Sequence, residues 1–284
     1  MITKLQYQNN LELKLKLSQF GQTTCQHQYT TYPLRLSRVF RLEGASTNRA
    51  YVYLINTSPG LLANDTLNLS LHLTENTNLY LTDRSATKVH PMPEANKKAT
   101  VNNQIIVENN ACLEFVPEPI ILYQDSVLEQ KTKIKLYPQA QLFLTEIILP
   151  GRLAKKEYYE FGYYFNRLQI VDSAEQLLYV DAMRMLGNNN RFKNNKLFAS
   201  FPVMGNAIAI FPELNINLLV KELEAKLLPS NRNIEIAITI LPTENGVAIR
   251  ALASKASAIK HYFFLILNFI RQIRQQANLP YIPK

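Results

Sequence analysis

The chain has 284 residues, of which 47% are hydrophobic and 19% charged, so it carries enough apolar material for one large β domain or two smaller domains. Two cysteines are too few for a disulfide framework, and we find neither a signal-peptide core nor a run of about 18 apolar residues for a membrane span, which favours a cytoplasmic protein without a membrane partner. The formal charge of +9 is spread along strand faces without a dense basic block, which favours an acidic protein partner over nucleic acid.

The N-terminal part predicts a β-hairpin. Leucines alternate with charged residues from Leu11 to Leu17, which indicates a half-buried strand. A short turn precedes a predicted return strand at residues 23–29. In that strand Cys25 and His27 lie two positions apart and are expected on one face, where they could supply two metal ligands or simply pack.

Three later segments share one pattern, a polar turn followed by an apolar–x–apolar pair, and each comes after an alternating strand. The segments are residues 75–81, 108–115 and 137–144. Their equivalent positions Leu79, Leu113 and Leu142 are spaced by 34 and then 29 residues. Such a recurrence predicts one supersecondary unit stacked on copies of itself. We therefore expect a mostly β fold of stacked strands, with a solenoid or β-helix-like body.

Residues 82–93 form a loop rich in hydroxyl and basic side chains between two predicted strands. Loops on rigid β scaffolds often carry function. His90 and Met92 in this loop could contact a metal transiently, or they could belong to an ordinary proline-bounded surface loop.

Two carboxylates stand inside otherwise apolar strands, Glu146 in residues 142–149 and Asp181 in residues 176–185. A buried carboxylate is costly unless it is paired, protonated or bound to a cation. The two acids could line one interior path, or each could reach water from an edge strand.

The composition divides the chain into three parts. A β-rich body covers residues 1–187, an asparagine-rich linker covers 188–196, and a small α+β region covers 197–284. The last part contains two predicted helices, at residues 217–228 and 254–276.

The final predicted helix begins at Ser254 as a candidate N-cap. Its apolar face is wider than the single stripe of a surface helix. The residues singled out on this face are Tyr262, Phe263, Ile266, Phe269 and Ile270. The face either packs within its own domain or offers a surface to a partner helix.

The familiar motifs of catalysis are absent from the sequence. It contains no phosphate-binding glycine loop, no G-x-S-x-G elbow, no HExxH, no CxxC and no kinase signature. A carboxylate-pair hydrolase remains open, although sugar clefts usually offer aromatic platforms and the chain has no tryptophan.

Five segments stand in a recognisable order. They read SPGLLANDTL at residues 58–67, LTDRSATKV at 81–89, VPEPII at 116–121, LTEIILPGR at 144–152 and LLYVDAMRML at 177–186. Together they resemble the urease accessory protein D family, UreD, which is called UreH in some species. The resemblance covers roughly residues 7–187, and the C-terminal part only weakly.

Some positions depart from the family pattern. Ala63 and Asn64 replace two glycines before the aspartate, Ser85 replaces the loop glycine, and Thr145 replaces a tryptophan. The positions that keep the pattern are Asp65, Thr87, Lys88, Glu146, Gly151, Arg152 and Asp181.

The resemblance implies a non-catalytic maturation factor that scaffolds apo-urease with accessory proteins F and G. It also implies that nickel passes transiently through an internal tunnel, without a tightly bound cofactor. Asp65, Glu146 and Asp181 are then candidate oxygen ligands on the nickel path. A second group of residues is expected to contact partners: Ser85, Thr87, Lys88, Gly151 and Arg152.

Two other functions remain open at this point. One is a β-solenoid assembly scaffold for another complex, with no metal role. The other is a hydrolase in which Glu146 and Asp181 face each other across an open cleft at about 5–9 Å.

Overall fold

The computed structural model describes residues 9–94, 96–187, 191–227 and 233–283. Within these residues the chain forms seventeen strands and three α-helices. The strands are β1 (Leu11–Leu17), β2 (Thr23–Thr30), β3 (Leu34–Leu36), β4 (Ala50–Asn56), β5 (Thr66–Leu73), β6 (Asn78–Asp83), β7 (Thr87–Val89), β8 (Ala99–Val107), β9 (Cys112–Phe115), β10 (Ile120–Leu122), β11 (Val127–Leu136), β12 (Gln141–Leu149), β13 (Tyr163–Val171), β14 (Leu177–Leu186), β15 (Val203–Ile210), β16 (Ile234–Ile240) and β17 (Gly246–Ala253). The helices are α1 (Lys196–Ser200), α2 (Ile216–Leu227) and α3 (Ala256–Ile273).

The strands form two sheets. Sheet A has seven strands in the order β14-β13-β11-β8-β5-β1-β2. Sheet B has ten strands, with β16-β17-β15-β12-β9-β6-β4-β3 in one row and the short strands β7 and β10 paired beside it. Strands in the middle of both sheets run parallel to their neighbours, whereas the outer pairs are antiparallel.

The predicted repeat is the basis of this architecture. Leu79 of β6 is the register partner of Leu113 of β9, and Leu113 is the register partner of Leu142 of β12. Between these strands the chain crosses to sheet A, where β5, β8 and β11 stack in the same way. The predicted mostly β fold with a stacked body is therefore confirmed.

The polar turn in each repeat has a local physical role. A residue in the left-handed conformation precedes each of the three stacked strands, namely Asn76, Asn110 and Gln139. Asparagine tolerates this conformation better than most residues because its short side chain can hydrogen-bond locally. The turns then stack through backbone hydrogen bonds, as from Asn76 N to Asn109 O at 3.0 Å.

The C-terminal strands extend sheet B. Strand β15 pairs antiparallel with β12 of the body, and β17 and β16 follow outward. Residues 188–190 of the predicted linker lie outside the described part of the chain, while Arg191–Asn194 form a 3-10 helix and Asn195 caps α1. The division into body, linker and C-terminal region stays a prediction.

Sheet B is the middle of three layers. Its inner face packs on sheet A through residues such as Leu79 and Leu142, and its outer face packs on α2 and α3 through residues such as Phe143. No helix in the described residues is long and apolar enough to cross a bilayer.

Helix α3 lies on the outer face of sheet B. Tyr262, Phe263, Ile266 and Ile270 are buried there, and Phe269 is partly buried. Full burial of such a side chain is worth about 1.5–3 kcal/mol. The broad apolar face of this helix thus packs within its own chain.

The start of α3 differs from the expectation. The helix begins at Ala256, with Lys255 instead of Ser254 at the N-cap position and no side-chain capping bond.

A buried ionic cluster joins α3 to sheet B. Arg271, which is fully buried, donates through Nε to Glu114 Oε1 at 3.0 Å and through Nη1 to Glu43 Oε1 at 3.0 Å. Arg49 also pairs with Glu43 at 3.0 Å, and Tyr51 donates to Glu43. Buried charges require such partners, so this cluster fixes the position of the helix on the sheet.

Candidate functional site

A cavity of about 160 Å³ lies between sheets A and B, and exposed residues such as Ser85 and Arg250 form part of its lining. Four carboxylates line it: Asp83, Glu118, Glu146 and Asp181. Amides and hydroxyls also line it, among them Gln130, Thr132, Asn166 and Asn206. The structure therefore brings Glu146 and Asp181 to one internal space.

Glu146 is held by neutral hydrogen-bond donors. Gln130 Nε2 donates to its Oε1 at 2.7 Å, and Asn166 Nδ2 lies 3.0 Å from Oε1 and 2.8 Å from Oε2. The Tyr164 hydroxyl donates to Oε1 at 3.3 Å. No basic side chain contacts this carboxylate in the part of the chain that the structure describes.

The position of Glu146 raises its pKa. Strand β12 runs inside sheet B between β9 and β15, so Glu146 does not reach water from a sheet edge. The side chain keeps some accessible surface because it lines the cavity. Burial raises the pKa of Glu146 to about 7, and the hydrogen bonds from Tyr164, Gln130, Asn206 and Asn166 oppose that rise. The Glu146 carboxyl group therefore titrates near neutral pH.

Two of the other cavity acids are paired with basic side chains. Arg250 Nη2 lies 2.9 Å from Asp181 Oδ1, and Lys260 Nζ lies 2.8 Å from Glu118 Oε2. Both cations are partly exposed, with 52% of the Arg250 side chain and 43% of the Lys260 side chain accessible. The cavity thus has cations near its surface and, inside, the Glu146 carboxyl group, which has no cationic partner among the described residues.

The predicted loop residues stack next to the cavity. Ser85 and Thr87 line it, whereas Lys88 is exposed. Leu61 N donates to Lys88 O at 2.8 Å, which ties the loop to the segment that begins at residue 58. A Cβ at Gly60 would lie 2.5 Å from Lys88 O, so the close approach of the two segments requires glycine there.

Asp65 lies elsewhere. Its Oδ2 accepts a hydrogen bond from Leu62 N at 2.7 Å, and the preceding Asn64 has a φ of 67°. Asp65 is not among the residues that line the cavity. In the structure its carboxylate closes a turn, and the nickel role predicted for it has no support from its position.

Gly151 and Arg152 shape the chain between β12 and β13. Gly151 has a φ of 153°, and a Cβ there would lie 2.2 Å from Glu157 O. Arg152 Nε donates to Glu157 Oε2 at 2.7 Å, and its guanidinium lies 4.6 Å from the centre of the Tyr123 ring. Both residues thus stabilise this turn, whatever they contact in a partner.

Two pairs of residues were candidates for metal contact, Cys25 with His27 and His90 with Met92. Neither pair belongs to a larger group of possible metal ligands in the described residues. His27 pairs with Glu12 at 3.1 Å beside a β-bulge that offsets it from Cys25. His90 contacts Pro59 O at 3.2 Å, and Met92 is buried. The described residues contain no group of three or more His, Cys, Asp or Glu side chains able to hold a metal ion.

Sequence reasoning missed several cavity residues. Asp83 and Glu118 lie in two of the recognised segments, yet neither stood out because loop acids are common. Asn166 and Asn206 carried a usable signal, since each is a polar residue inside a mostly apolar strand, as Glu146 is.

Comparison with known proteins decides the family. A model of the family described as UreD urease accessory protein matches residues 8–284. The chain belongs to the UreD urease accessory protein family. Its membership supports a role in urease maturation.

Individual relatives agree with this assignment. The chain is 48% identical over 276 residues to a urease accessory protein UreD of Trichodesmium erythraeum, covering 97% of this chain and 99% of the relative. It is 29% identical over 259 residues to UreD of Actinobacillus pleuropneumoniae serotype 5b, covering 90% and 94%. It is 28% identical over 252 residues to UreH of Helicobacter hepaticus, covering 89% and 94%.

Proposed function

We propose that this UreD-family protein is a non-catalytic urease maturation factor of the cytoplasm. It holds apo-urease together with accessory proteins F and G and conducts nickel through the cavity between its sheets to the urease active site. Nickel is the cargo, and it binds only in passing. Family membership supports the role in maturation, and the cavity chemistry supports the conduit.

The environment of Glu146 is the observation that supports nickel conduction through the cavity. Its carboxylate faces the cavity with neutral donors around it and no cationic partner in the described residues. An interior carboxylate of this kind gains from a passing cation, because the cation supplies the missing counter-charge. Oxygen ligands hold nickel less tightly than imidazole or thiolate, which suits release to the next site.

The paired acids extend this path. Arg250 on Asp181 and Lys260 on Glu118 already place a positive charge beside each carboxylate. An entering divalent ion has to share these carboxylates with the basic side chains or displace them. These two carboxylates therefore hold the ion only weakly, and Glu146 is the carboxylate of the path that has no competing cation among the described residues.

The first experiment tests the role in maturation. The host urease subunits and accessory proteins F and G are co-expressed with nickel, with and without this chain, and urease activity is measured. We expect activity to depend on the chain and the chain to co-purify with protein F. Full activity in its absence, without co-purification, would contradict the proposal.

The second experiment separates conduction from scaffolding. Urease activation could still require the chain and yet be unaffected by Glu146→Ala and by Asp181→Ala. In that case the chain would be a urease scaffold without a metal path. Loss of activation by these variants, with the complex intact, supports the conduit.

A further inference from the structure

Among the described strands, β14 forms one edge of sheet A. It has ten residues, and it pairs only with β13 among the described strands. Alternate backbone N–H and C=O groups of an edge strand point away from the sheet and can pair with another chain. Its sequence, LLYVDAMRML, contains neither proline nor lysine, and its two charged residues are Asp181 on the cavity side and Arg184 on the exposed side.

The outer face of β14 is unusually apolar for an exposed strand. Leu177, Val180 and Leu186 keep 54%, 45% and 47% of their surface exposed. By contrast, the opposite edge strand β2 is polar along most of its length, TTCQHQYT. Exposed apolar side chains in one row are typical of an interaction surface.

Three cations surround this row without an acidic partner in the described part of the chain. Lys131 of β11 and Arg167 of β13 are register partners, and Arg184 lies on β14 itself, 5.6 Å from the centre of the Tyr163 ring. Like charges on adjacent strands repel. The neighbouring Lys133 is different, because Glu175 neutralises it at 2.6 Å.

A groove of about 410 Å³ runs along the inner side of the same edge. Its lining is mainly apolar and includes Met183, Met185, Leu197, Phe198 and Met204. Methionine side chains are flexible and adapt to different apolar groups. A strand added beside β14 would direct alternate side chains to this groove and to the cationic outer face.

We propose that β14 is a docking edge for an extended segment of a partner protein, in which apolar and acidic side chains alternate. The segment pairs with the β14 backbone as an added strand, places its apolar side chains in the groove, and places its acidic side chains beside Arg184 and Arg167. A second copy of this chain fits less well, because it would bring the same cations together. The proposal does not depend on the metal path.

The test uses the full chain and a labelled decapeptide of alternating valine and glutamate, followed by fluorescence anisotropy. The matched peptide replaces each glutamate by lysine. We expect the acidic peptide to bind and the basic one to bind at least about tenfold more weakly, since the charges at the edge are complementary only to the first. Amide hydrogen exchange should slow in β14 on binding and stay unchanged in β2.

Variants keep the result specific. Arg184→Glu should weaken binding about tenfold, whereas Lys16→Glu, the same charge change on an exposed residue at the far end of sheet A, should leave it unchanged. Circular dichroism checks that both variants fold. Val180→Lys is a second substitution within strand β14.

Four outcomes would overturn the proposal. They are no binding of the acidic peptide to the wild-type chain, equal binding of the two peptides, equal weakening by Lys16→Glu, and a concentration-dependent dimer that Val180→Lys abolishes. The last would assign the edge to a second copy of the chain.

Discussion

Asn166 donates to both carboxylate oxygens of Glu146, at 3.0 and 2.8 Å, from the opposite sheet. This contact crosses the cavity between sheets A and B. It holds an ionisable group in the interior without neutralising its charge. The two residues therefore link the stability of the fold to the protonation of one buried carboxyl.

Replacing Glu146 by Gln should change how stability depends on pH. Because burial raises the pKa of Glu146 to about 7, the folded state binds more protons than the unfolded state between about pH 4.5 and 7. The wild-type protein should therefore lose stability as pH rises through this window, by on the order of 2 kcal/mol from this group. Glu146→Gln should lack that loss.

Urea unfolding of both proteins at pH 5 and pH 8 measures the difference. The free energy of unfolding of the variant, minus that of the wild type, should be larger at pH 8 than at pH 5. An identical pH dependence for the two proteins would show that Glu146 does not titrate in this range.

Removing Arg271 should strongly destabilise the protein. Arg271→Met leaves Glu114, which has no accessible surface, without one of its partners. Breaking a buried pair in this way costs about 3–5 kcal/mol. Thermal and urea unfolding of Arg271→Met measure the effect.

A surface ion pair provides the control. Lys133 pairs with Glu175, and their side chains are 39% and 52% exposed, so Lys133→Met should cost about 1 kcal/mol or less. The double variant Arg271→Met/Glu114→Gln should recover part of the lost stability, since it no longer buries an uncompensated charge. Equal effects of the two single variants would contradict the assigned role of the cluster.

Gly151→Ala should destabilise the turn between β12 and β13. Its φ of 153° and the 2.2 Å approach of a Cβ to Glu157 O leave no room for a side chain. We expect a loss of about 1–3 kcal/mol, measured by urea unfolding. Gly21→Ala is the matched change, because Gly21 also has a positive φ but has nothing within 4 Å of its Cβ. If both variants lose the same stability, close packing at Gly151 is not the cause.

The sequence predicted the local part of this structure well. The spacing of Leu79, Leu113 and Leu142 reports the register of stacked strands, because the same unit must repeat to bury its face. The sequence also singled out Glu146, because a carboxylate within an apolar strand interrupts the hydrophobic pattern.

The remaining features depend on contacts between distant parts of the chain. Glu114 and Arg271 are 157 positions apart, and no local pattern relates them. The pairing of Lys260 with Glu118 likewise requires α3 to lie on sheet B. Asp65 shows the converse, because a position that matched a family motif serves a turn instead of the cavity.

The nickel content of purified urease is the most direct test of a metal path through the cavity. Urease is purified after co-expression with accessory proteins F and G and either the wild-type chain or Glu146→Ala, and its nickel is measured by mass spectrometry. Glu129→Ala, a carboxylate on the outer face of sheet A that pairs with Lys98, is the control. We expect nickel-poor urease with Glu146→Ala but not with Glu129→Ala, while the complex with protein F still forms. Full nickel loading with Glu146→Ala would contradict a metal path through the cavity.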